Sequence, residues 1–166
     1  AHVRYQRAKW MADTANLDAN RLTTRSEASN LLRAVTNDLQ TLYRDLSAQL
    51  IARDVIADPA RAQKYRKLLQ QVTLSQGEAR LAQAQCYAAG SADATHLLSQ
   101  AVEHFQELAR ITPPTQLALT AQLREAECER RLGQFEKAHQ YLSALPTDPV
   151  AGFSPMWRIV EAAELQ

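Results

Sequence analysis

With 166 residues the chain suits one compact domain or a short array of repeats, long enough to bury most of its apolar surface. Four glycines and six prolines are too few punctuators for an all-β chain, and the Ala- and Leu-rich remainder favours helix. A net charge of +1 comes from 19 basic and 18 acidic residues, interspersed without a basic tract, so nucleic-acid or membrane-surface binding receives no electrostatic support from the sequence.

Apolar spacing predicts helices throughout and no strand. Val3 to about Asn16 reads as a first, weakly patterned helix carrying Trp10 and Met11. A long helix is expected from about Ser26 to Ile56. Along it Leu32, Val35, Leu39, Leu42 and Leu46 recur at intervals of three and four, the seam of a coiled-coil-like pair or of an ordinary core-facing helix. Asp58 is a good N-cap and Pro59 a good first-turn residue for a helix to about Leu74. Ser75 with Glu78 has capping-box spacing and is expected to open another helix, ending near Gly90.

After the loop "GSADAT" a helix is expected from about Ala94 to Ile111, ended by "TPPT". The next runs from about Gln116 to Leu132, and Gly133 allows a tight turn into Phe135–Leu145. "PTDPVAGFSP" reads as a loop before a last helix beginning at Met156. The chain starts at Ala1 and stops within that amphipathic segment, so it reads as part of a longer protein. The final helix, with Met156, Trp157, Val160 and Leu165 at core-like spacing, is expected to leave an apolar face that invites self-association. No run of 18 apolar residues exists to span a membrane.

A short pattern recurs. "LAQAQC" (81–86) and "LREAEC" (123–128) share Leu-x-x-Ala-x-Cys, and "VEAAEL" (160–165) keeps the spacing. Ala126 and Ala163 lie 37 residues apart, as do Ala101 and Ala138; Ala84 to Ala126 is 42, the excess falling in "AAGSADAT". Two landmarks with one period indicate stacked helix hairpins.

From about Gly77 onward the chain resembles the tetratricopeptide repeat family. Ala84 takes the small slot of that family's first helix and Tyr87 its aromatic slot; Ala101, Phe105 and Pro113 follow at the family's intervals. In the second copy Ala126 is small, and Gly133, Phe135, Ala138 and Leu142 follow, with Glu129 standing where the family has Tyr. The resemblance implies an all-α helix-hairpin repeat array, a tetratricopeptide-like α-solenoid over residues 76–166. Residues 1–75 would form an N-terminal long-helix hairpin, a cap or degenerate repeats.

No catalytic machinery is legible: there is no Gly-rich phosphate loop, no Gly-x-Ser-x-Gly and no Cys-x-x-Cys. His96 and His104 are eight apart and read as solvated surface residues, and Glu125, Glu127 and Glu129 fall on different faces of a helix. Cys86 and Cys128 read as reduced, buried packing residues. The expectation is a non-enzymatic scaffold without cofactor or metal, binding a protein or peptide and no nucleic acid; a structural spacer or oligomerisation module, paired through the leucine seam, is the alternative. The resemblance places Arg80, Gln83, Tyr87, Arg124, Glu125 and Glu129 on first helices, which line the partner-binding concave face in that family.

Overall fold

A computed structural model describes residues 5–7, 21–111 and 115–145. Among them every regular element is helical: α1 (Arg21–Leu50), α2 (Arg53–Ile56), α3 (Pro59–Ala84), α4 (Ala92–Ala109), α5 (Gln116–Arg131) and α6 (Phe135–Ser143), with a helical turn at residues 5–7. The segment beginning at Met156 lies outside the described residues, as do His2, Trp10 and Met11.

Local chemistry explains most boundaries. The Asp58 carboxylate accepts from the Ala60 and Arg61 amides, and Pro59 supplies the first helical residue of α3. Ser91 and Thr115 cap α4 and α5 by accepting from Ala94 and Ala118. Helix α5 ends in a Schellman turn: Gln134 N–H donates to Glu129 O and Gly133 N–H to Arg130 O. Gly133 there takes φ +79, the left-handed conformation that glycine tolerates.

Two expected boundaries are corrected. The long first helix stops at Leu50, and Arg53–Ile56 is a separate turn. No break occurs at Ser75: α3 runs unbroken from Pro59 to Ala84 and ends before Gly90. Its neighbours explain the continuity. Thr73, Gln76 and Gly77 are buried, so Ser75 sits within a stretch already clamped between other helices, and packing overrides the local capping signal.

Consecutive helices are neighbours. Helix α1 packs along α3 through Val35, Leu39, Val72 and Ala79, with Leu32 on Ala82. The main core joins α3, α4 and α5 through Leu81, Ala84, Leu98, Ala101, Val102, Phe105, Leu108, Ala121 and Cys128. Helix α6 and the turn after it then close on Leu119 and Leu123 of α5 through Leu142 and Leu145. Ala84 and Ala126 are both buried, as the recurring pattern requires.

Helix α3 also touches α5 directly. Among the described residues the core that α3 shares with α4 and α5 reaches no further toward the α3 N-terminus than Leu74. Between Pro59 and that point no residue of α3 belongs to the main core; among the described residues Val72 packs on Val35 and Leu39 of α1, and α2 adjoins the start of α3. This overhang is about 22 Å long, at 1.5 Å per residue.

Candidate functional site

The six residues singled out from the sequence do not share one open surface. Gln83, Glu125 and Glu129 are buried, while Arg80, Tyr87 and Arg124 are partly so. Tyr87 is not on a helix; it lies in the bend after α3, where its hydroxyl and that of Ser29 on α1 are 3.1 Å apart.

Five of the six instead fall in two polar seams related by a fixed sequence offset. A shift of 42 residues superposes Arg80, Gln83 and Tyr87 on Gln122, Glu125 and Glu129. In the second seam Glu125, only 2% exposed, accepts hydrogen bonds from Gln106 on α4 and Tyr141 on α6, so this face of α5 is wedged between its two neighbours. In the first, Tyr87 meets α1, while Arg80 lies beside Glu103 and His104 of α4. His104 and Tyr141 correspond under the 37-residue shift of the second helices.

Burial governs the electrostatics of both seams. It pushes the Glu125 carboxyl above the ordinary carboxylate range, opposed by the hydrogen bonds from Tyr141 and Gln106 and reinforced by Glu129. Tyr141 is raised in turn, by burial and then by its bond to Glu125. His104 is held below the usual histidine range by burial and by the Arg80 guanidinium, so it is not the solvated surface residue expected from the sequence. His96 is exposed and paired with Gln100. Glu129 Oε2, Gln122 Oε1 and Arg80 Nε are buried without a hydrogen-bond partner among the described residues.

Arg124 belongs to a different face of α5. Its Nη1 and Arg131 Nη2 each lie 3.0 Å from the Glu127 carboxylate, giving a charged ladder at i, i+3 and i+7. This face points away from the seam. Under the 42-residue shift its counterparts are Ala82 on α3, buried against Leu32 of α1, and Gln85 and Ala89 in the turn after it, and Glu78 takes the place of Thr120.

Among the described residues no three His, Cys, Asp or Glu side chains are grouped to hold a metal. Both cysteines are free thiols; Cys128 is buried, and burial pushes Cys86 up to about 11. Gln106, Gln122 and Tyr141 were not singled out from the sequence, although the two shifts map Arg80 onto Gln122 and His104 onto Tyr141. In comparison with known proteins, no family, no curated protein and no solved structure matches this chain.

Proposed function

We propose that the chain is a non-catalytic scaffold that binds another protein or peptide along the face presented by α3 and α5. The observation that carries this reading is the direct contact of α3 with α5, each the first helix of a hairpin completed by α4 and α6. That arrangement is the one a tetratricopeptide-like solenoid would have, and extended surfaces on such stacks commonly receive partners. The step from fold to function is analogy.

Within that reading Arg124, Glu127 and Arg131 face the partner, with Glu78 on α3 and Gln85 just after its end. Gln83, Glu125 and Glu129 hold the hairpins together behind them. Burial of Leu32, Val35 and Leu39 against α3 of the same chain supports the scaffold over an oligomerisation module, since that part of the leucine seam is already covered.

A displayed peptide library screened against the purified chain tests the proposal. Enriched peptides should bind with micromolar affinity and lose most of it in the Arg124→Glu/Arg131→Glu variant, with helicity unchanged. Failure to enrich any sequence, or binding indifferent to that charge reversal, would turn the reading toward a spacer.

A further inference from the structure

The overhang of α1, α2 and α3 carries two features that neither the core nor the proposed binding face uses. At its tip Ile51 and Ile56 are 75% and 65% exposed, among the most open large apolar side chains described. Around them the charge is one-sided. Residues 41–70 hold six basic side chains (Arg44, Arg53, Arg61, Lys64, Arg66 and Lys67) against three acidic ones, a net of +3. The whole chain carries +1, so all the rest carries −2.

Two of the three acids are also engaged: Asp58 caps α3, and Asp54 is 2.8 Å from Arg61. We propose that this tip docks on an anionic lipid surface, with Ile51 and Ile56 entering the interface and Arg53 and Lys64 resting among the headgroups.

The dimensions agree. Lys64 begins about 7.5 Å up α3 from Pro59, and an interfacial apolar face sits roughly 5–10 Å into the headgroup boundary. Residues 71–145 carry a net −2 and begin beyond the overhang, roughly 15 Å above the level of Lys64, which is about two Debye lengths at physiological salt. A second copy is a poor occupant, because two tips of +3 would face each other. No helix among the described residues is long and apolar enough to cross a membrane. Two isoleucines and a few cations make it weak and reversible.

Co-sedimentation of the 166-residue chain with vesicles tests this, comparing pure phosphatidylcholine with a 70:30 mixture of phosphatidylcholine and phosphatidylserine. Binding is expected only to the anionic vesicles and should fall steeply with salt. Ile51→Asp/Ile56→Asp should lower it at least tenfold, and Arg53→Glu/Lys64→Glu by a similar factor, whereas Lys137→Glu on α6 should leave it unchanged. Melting curves check that each variant is folded, as exposed substitutions should be. The proposal falls if anionic vesicles are not bound or if Lys137→Glu acts as strongly as the tip variants. It also falls if the isoleucine variant binds normally while soluble polyglutamate competes, which would mark the tip as a dock for an acidic protein.

Discussion

Gly77 of α3 and the ring of Phe105 on α4 occupy each other's space: a β-carbon on Gly77 would lie 2.5 Å from Phe105 Cε1. The glycine sits inside a helix, where it costs about 0.5–1 kcal/mol relative to alanine. Phe105 is fully buried, and this contact brings the two helices together at the base of the first hairpin. Gly77→Ala should therefore destabilise the fold by about 1–3 kcal/mol in urea unfolding, through overpacking. In a Phe105→Leu background the penalty should shrink, because the ring edge is gone and the helix propensity of alanine is recovered. A penalty of equal size in both backgrounds would show that the ring is not its cause.

Glu125 makes stability depend on pH in an unusual direction. Its folded-state pKa is raised, so the folded protein holds that proton more tightly than the unfolded chain does. The contribution is fully present below the unfolded carboxyl pKa, about 4.3, and is lost as pH rises through the folded value. Glu125→Gln, which stays neutral and can still accept from Tyr141, should raise the melting temperature at pH 7. It should also flatten the slope of stability between about pH 4 and 7. A variant less stable than the parent at pH 7 would mean the ionised carboxylate is net favourable there.

Both thiols should resist modification in the folded protein. Cys128 is buried, and with a pKa of about 11 Cys86 is thiolate only to about one part in ten thousand at pH 7. Ellman's reagent should react far more slowly than with free cysteine, and with both groups at once after unfolding in urea. Reductant and chelator should leave the melting temperature where it was; a fall of several degrees with either would reveal a bridge or a metal.

Ala126 has no exposed surface, and its helix is enclosed by α4 and α6. Ala126→Leu should cost about 1–3 kcal/mol by overpacking, while Ala60→Leu, at an exposed site of α3, should change stability little. Equal melting temperatures for these two variants would mean that the helices beside Ala126 can move apart freely.

Most helices were legible because their signals are local. Asp58-Pro59 announces a start, Gly133 a turn, and the recurring alanines mark places where helices press together. Ser75 misled because a capping signal carries no information about burial, and the clamp on Gly77 comes from Phe105, 28 positions away. The six candidate residues were placed by the family resemblance, which gives a helix but not the side of it. Position 125 turns toward Gln106 and Tyr141, whereas 124 turns outward, a difference of one residue and 100° of rotation. The basic overhang was hidden for a related reason: its cations are spread over 24 positions of sequence and converge only when α1 folds back on α3.

The unbroken course of α3 makes it a single shaft running from the overhang into the main core, about 39 Å long for its 26 residues. Angular phase is therefore fixed between its two ends. Adding two residues near Gln70 would turn the tip by about 200° relative to the side of α3 that packs on α4, pointing Ile56 and Lys64 the opposite way. Adding seven would return them to within about 20° of the original bearing, some 10 Å further out. The length of this helix thus sets an orientation as well as a reach, and it sets both in whole-residue steps.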